Sequence, residues 1–454
     1  MDRTVGDRRY ARALCPEGLM SSGGAGIGLK GAAVYGLGDF ACNLYWQSLS
    51  LFLLFYYTEV VGLPPATAGL IYLIASVWDG LVDPLIGLMA DRTRTRFGAY
   101  RPYLLIGGPL LGLSFCLLYY RPPLEGLALV AFILISHLIF RTFYALVNVP
   151  YAALSGRLTH DPDRRAQLSG FRMFFGALAA VLVSLMTPQA GSGHGYLMMA
   201  ALFALVATPM FPLVFAATRE AAPEPQTAAR PRLKTLLASL MHNKAFWRLN
   251  MGAMAFAISG TVLTKSVLYF FKYSLDDERA GAMAFAVTGV AGLVIIPVWT
   301  LLARRIGRRG VWIAACGIGL CGLAALWVMA AASAGSAWIT ACLVVVHSGF
   351  LGLFFAFWSL LPDTVDYGEQ TTHVRADGFL FGVAGMISKI SMGLGAGLFG
   401  WGLAQAGYRS NIVQSATTLS DLKALMLLTP ALGFALCLIL MLREIQTRTR
   451  GQLP

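Results

Sequence analysis

Long apolar runs separated by short polar connections make up most of the chain. A helix of about 20 apolar residues crosses a bilayer. About twelve runs of that kind are legible, near residues 31–58, 64–90, 102–120, 124–155, 166–188, 195–217, 245–273, 280–302, 310–332, 336–361, 378–405 and 421–443. The connections alternate in charge. Residues 91–101, 157–165, 219–248 and 304–309 are rich in Arg and Lys, as are both ends of the chain, whereas 59–63, 191–195 and 334–336 contain neither. The positive-inside rule then puts both termini and the middle connection in the cytoplasm, which requires an even number of spans. The longest polar connection divides the runs into two groups of six. The organisation expected is a tail (1–30), a first bundle (31–218), a cytoplasmic linker (219–244), a second bundle (245–443) and a tail (444–454). Both groups carry a Gly- and Arg-rich turn after their second run, at 87–98 and 303–310, as a parallel internal repeat would. The fold expected is an all-α membrane protein of twelve transmembrane helices in two six-helix bundles.

Composition agrees with this pattern. The 454 residues are 57% hydrophobic and 13% charged, about half the charge of a soluble protein. The formal charge of +13 sits in short loops, where it sets topology, so no nucleic-acid partner is expected. Seven scattered cysteines with no CxxC pair argue against a disulfide framework or a zinc site. The basic start (Arg3, Arg8, Arg9, Arg12) lacks an apolar core followed by a cleavage site, so no removed signal peptide is expected.

The informative residues are polar ones inside apolar runs. Asp79 and Asp83 lie one helical turn apart in the second run, and each acid at membrane depth costs about 2.5–3.5 kcal/mol on insertion scales. Stacked carboxylates suit a Na⁺ or proton site, because hard cations prefer oxygen ligands. A charge-paired structural helix is the alternative. Lys389, mid-span in the eleventh run, needs an acid or an aqueous path, and Asp79 and Asp83 are the available acids. Asn43, Trp46, Gln47 and Ser50 form one stripe on the first run, offering hydrogen bonds and an aromatic plate to a sugar; helix–helix hydrogen bonding is the other use for such a stripe. His137, Arg141, Tyr144 and Asn148 share a face of the fourth run. Arg172 and Lys265 add further cations at depth, and the excess of base over acid points to an anionic substrate. Arg141 either grips an acidic sugar or neutralises Asp79 or Asp83. No covalent chemistry is indicated: His137 and His347 are each alone in their runs, with no nucleophile–base pair or ligand set.

The runs Tyr35–Phe40, Phe55–Val60 and Trp78–Pro84, with Asp91-Arg92-Thr93-Arg94, Arg101-Pro102-Tyr103 and Pro362–Glu369, resemble the glycoside–pentoside–hexuronide:cation symporters of the major facilitator superfamily. The resemblance covers about Ala33 to Leu440. It implies alternating access, cation coupling (Na⁺, Li⁺ or H⁺) at Asp79 and Asp83 with Asn43 nearby, and Lys389 placed against those acids. No cofactor beyond the coupling ion is expected, and the protein is expected to be a monomer in the inner (plasma) membrane, with a sugar, glycoside or hexuronide held by Asn43, Trp46, Gln47, Arg141, Tyr144, Asn148, Arg172, Lys265, Phe354 and Lys389. Asn43 and Asn148 stand where galactoside-carrying members have aspartates, and Ala152 where they have a stacking tryptophan, which argues against galactoside specificity. Arg141 replaces a small residue, and Ser76 replaces an arginine. Asp91, Arg92, Arg94, Arg304, Arg305, Asp363, Asp366, Glu369 and Arg375 are expected to form a cytoplasmic charge network latching the outward-facing state; solvated loop charges are the alternative. A cation-independent uniporter and a lipid carrier are the competing functions.

Overall fold

The computed structural model describes residues 28–449 except 160, 192, 221–232 and 375–376. It is helical throughout, with no strand among the described residues. The first half consists of α1 (Leu29–Phe55, extended by a π turn, Tyr56–Val60), α2 (Pro65–Arg92), α3 (Arg101–Leu118), α4 (Gly126–Leu158), α5 (Pro162–Met186), and α6 (Gly193–Ala207) with α7 (Met210–Ala217). The second consists of α8 (Leu233–His242), α9 (Lys244–Ser274), α10 (Glu278–Ala331), α11 (Ser336–Thr372), α12 (Asp377–Gln405) and α13 (Ala416–Thr449).

Twelve crossings result once two local breaks are taken into account. The sixth run is interrupted at Thr208-Pro209, so α6 and α7 together make one pass. The eighth and ninth are a single 54-residue run, broken only at Gly307, whose φ of 72° and ψ of 166° leave helical space. Glycine takes that conformation without a Cβ penalty. The helix α8 occupies the end of the segment read as a linker, and its Ser239 hydroxyl hydrogen-bonds Thr372 of α11 at 2.7 Å.

Each half has its own apolar core, one built mainly from residues 32–214 and the other from 240–441. The halves meet where α2 runs along α12 and α5 along α10. The α2–α12 seam is made of glycine: a Cβ on Gly400 would lie 2.9 Å from the Gly69 Cα, and one on Gly393 would lie 2.6 Å from the Ser76 Cβ. The helices therefore touch backbone to backbone.

The ends of the molecule differ. At the end opposite the Arg-rich turns, the halves are tied by a buried carboxylate. Glu59 Oε2 accepts from Lys272 Nζ at 2.5 Å and from the Tyr273 hydroxyl at 2.7 Å, and the Glu59 carbonyl accepts from Asn411 Nδ2 at 2.8 Å. Thr58 and Tyr269 join their hydroxyls across the same seam at 2.7 Å. At the Arg-rich end two ties each lie within one half. Glu220 accepts from the backbone N–H groups of Ala99, Tyr100 and Arg101 at 2.7–2.8 Å, and Arg308 pairs with Asp363 at 3.0 Å. At the Arg-rich end of α2, Leu81, Leu85, Leu88 and Met89 are exposed.

Candidate binding site between the halves

The inner face of α2 presents Asp79 at mid-depth, fully buried, and Asp83 one turn on with its side chain 26% exposed. Lys389 reaches across from α12. Its Nζ is 2.9 Å from Asp79 Oδ2 and 2.5 Å from Asp83 Oδ2. From α4, Arg141 Nη1 meets the same Asp79 oxygen at 2.9 Å, while Nη2 donates to Ser76 Oγ at 3.4 Å. The guanidinium carbon lies 5.2 Å from the Trp46 ring centre and 5.6 Å from that of Tyr72. Two acids thus face two bases, which lowers the cost of burying all four. Asp79 Oδ1 and Asp83 Oδ1, both buried, have no hydrogen-bond partner. Those two oxygens are the free coordination capacity of the cluster: they can take a proton or ligate a hard cation.

Beside this cluster, α1 and α5 form a polar ledge. Arg172 holds Asp39 Oδ1 through Nε and Nη2, both at 3.0 Å. Asn43 Nδ2 donates to Asp39 Oδ2 at 3.1 Å, and Gln47 Nε2 to Asn43 Oδ1 at 3.4 Å. Gly176 leaves room for this pairing, since a Cβ there would come 3.1 Å from Asp39 Oδ2. Trp46 stacks on Tyr144 with centroids 5.4 Å apart and planes 29° apart. Asn148 is half-buried one turn further along α4. The structure therefore binds Asn43 to Asp39 and Gln47, not to the α2 acids. Lys265, buried, donates to the Ser50 and Leu49 carbonyls at 2.5 and 3.4 Å and sits 4.2 Å from the Tyr72 ring centre. Phe354 is 55% exposed, and its described ring contact, T-shaped at 6.1 Å, is with Trp358 on its own helix α11.

Sequence reasoning passed over Asp39. Its signal was present: residues 39, 43 and 47 continue one stripe at four-residue spacing. It also passed over the far-end carboxylate Glu59.

Of the charge network expected at the Arg-rich end, Asp363 pairs with Arg308, not with Arg304 or Arg305, which are exposed. The Gly307 break turns Arg308 toward α11 of the same half. Asp91 accepts from the Tyr100 hydroxyl at 2.8 Å, and Arg94 Nη1 approaches the Asp91 carbonyl at 3.5 Å. Arg92 is exposed at the end of α2, Asp366 and Glu369 lie in the last turns of α11, and Arg375 lies outside the described residues.

Residues 34–446 match the family model for MFS/sugar transport proteins. The chain belongs to this family. It is 30% identical to the isoprimeverose transporter of Lactiplantibacillus pentosus over 90% of this chain and 87% of that one. It is 29% identical to the putative glycoside/cation symporter YagG of Escherichia coli over 90% of each. Among solved structures, a D-xylose–proton symporter superposes with a TM-score of 0.63 at 14% identity, covering 88% of this chain and 96% of that one. The protein is a multi-pass membrane transporter of the glycoside–pentoside–hexuronide branch of the major facilitator superfamily, and it is not an enzyme. Its family is one of sugar transporters.

Proposed function

We propose that the chain carries a neutral sugar or glycoside together with a Na⁺ ion or a proton taken up at Asp79 and Asp83, by alternating access between two six-helix halves. The observation that carries the reading is Lys389. It is supplied by the second half, the acids by the first, and it bridges both carboxylates. A cation arriving at the two free Oδ1 atoms weakens that bridge, so ion occupancy is felt as a change in the contact between halves. The sugar lies against the Trp46–Tyr144 stack and the ledge of Asn43, Gln47, Asn148, Asp39 and Arg172.

Neutral substrates are favoured because the basic residues at depth are already engaged. Arg141 is held by Asp79, Arg172 by Asp39, Lys389 by both α2 acids, and Lys265 by main-chain carbonyls. The base excess that suggested an acidic substrate shrinks once Asp39 is counted. With the termini in the cytoplasm, as the basic loops dictate, the conformation described is inward-facing, closed on the outside by Glu59.

The test is uptake of labelled neutral and acidic sugars into proteoliposomes under an imposed Na⁺ or H⁺ gradient, for wild type and Asp83→Asn. Accumulation driven by one gradient, stronger for neutral sugars and lost in the variant, is expected. Equilibration indifferent to both gradients and to the substitution would instead mean a uniporter, its acids serving only as counter-charges to Arg141 and Lys389.

A further inference from the structure

Arg141 is oriented by more than its acid. One turn along α4, toward the closed end, the buried His137 presents Nε2 to Arg141 Nε at 3.4 Å and Nδ1 to the Tyr57 hydroxyl of α1 at 3.3 Å. A guanidinium can only donate. Nε2 must therefore be the unprotonated nitrogen, and the ring proton sits on Nδ1, where it donates to the Tyr57 oxygen. Two other groups lie near the ring: Tyr72 of α2, edge-on at 5.5 Å, and Lys265 of α9, which lies over the same Tyr72 ring. Arg141 meets the imidazole directly, Lys265 lies beyond Tyr72, and no acid contacts the ring among the described residues, so its contribution is a lone pair and not a charge.

That lone pair completes a three-point mount. Nε goes to His137, Nη2 to Ser76 and Nη1 to Asp79, with Trp46 flanking the plane. Remove the first point and the guanidinium can swivel on its stem, and its grip on Asp79 slackens. We propose that His137 is a positioning residue of the ion site, setting how strongly Arg141 competes with the coupling cation for Asp79. This rests on the symport reading above. Two fixed cations hold Asp79 in the conformation described. A site that keeps only Lys389 binds an incoming cation more tightly and releases it more slowly, so ion affinity and turnover move in opposite directions.

The experiment compares His137→Leu and His137→Gln with wild type in proteoliposomes, reading the ion concentration for half-maximal uptake, the maximal rate and the sugar KM. For His137→Leu the half-activating ion concentration falls about tenfold, or about 1.4 kcal/mol, with a lower maximal rate and an unchanged sugar KM; for a proton this is a shift of about one pH unit upward. Glutamine keeps an acceptor for Arg141 and a donor for Tyr57, so it stays near wild type. An unchanged or raised half-activating concentration in His137→Leu, or glutamine behaving like leucine, overturns the proposal. A double-mutant cycle with Arg141→Gln, read on the thermal midpoint in detergent, checks it independently of coupling. His137→Leu should cost less in the Arg141→Gln background than in wild type, because only the Tyr57 hydrogen bond is then left to lose, and fully additive effects would refute the link. If wild type ignores both gradients, the symport reading fails on its own and the cycle decides the role of His137.

Discussion

Glu59→Gln isolates what keeps the far end shut. The Glu59 carboxylate is 2% exposed and receives a charged donor, Lys272, and a hydroxyl donor, Tyr273, both from the opposite half. Hydrogen bonds to a charged group contribute about 1.5–3 kcal/mol each. The side chain of Lys272 is 22% exposed, so its share is reduced by solvent screening. The amide also keeps one oxygen able to accept. A net loss of about 2 kcal/mol for the closed end follows, which is about a 30-fold shift toward opening. Backbone amide exchange followed by mass spectrometry reads this directly, because exchange through local opening scales with the opening equilibrium. Amides of the π turn Tyr56–Val60 and of residues 405–415 should exchange about 30-fold faster in the variant, while those in the core of α4 should not change. Lys272→Gln should move the same amides in the same direction. Less than about a threefold change in both variants, with helical content intact, would mean that apolar packing and not this carboxylate closes the end.

Other perturbations are equally specific. Gly400→Val pushes a side chain into the Gly69 backbone; overpacking of this kind costs about 1–3 kcal/mol, and uptake should fall more than tenfold with a lower thermal midpoint, so retained uptake would refute the seam's role. Glu220→Gln weakens the acceptor of three N–H groups at the start of α3; thermal unfolding should register a loss of about 1–2 kcal/mol with the sugar KM unmoved. Asp39→Asn frees Arg172 from its acid, so the sugar KM should rise about tenfold as one charged partner is lost, and competition assays should show acidic sugars gaining on neutral ones.

The crossings were legible because each needs a run of apolar residues long enough to satisfy its backbone in lipid, a constraint written locally. The breaks were less so. Residues 303–309 read as a loop, yet all but Gly307 remain helical, since arginine favours helix and a single positive-φ glycine suffices to turn the chain. The pairing of Lys389 with the α2 acids followed from charge economy at depth: rare buried charges of opposite sign must find one another. Asp39 and Arg172 obey the same economy, but their pairing depends on how α1 faces α5, 133 residues away, which no local pattern records. The far-end carboxylate depends on the register of α1 against α9, 213 residues away, and helix register between distant segments leaves no local trace.

The glycine seam has a consequence for how this protein can evolve. Helices meshed by side chains must lift apart before one slides past the other, whereas α2 and α12 present nearly smooth surfaces at Gly69, Gly393, Gly397 and Gly400. Such a surface turns with little friction, but it has no slack: any Cβ acts as a wedge. Substrate preference is free to drift through the α1–α4–α5 ledge, where side chains can be exchanged one at a time, while the bearing on which the halves turn tolerates almost no change.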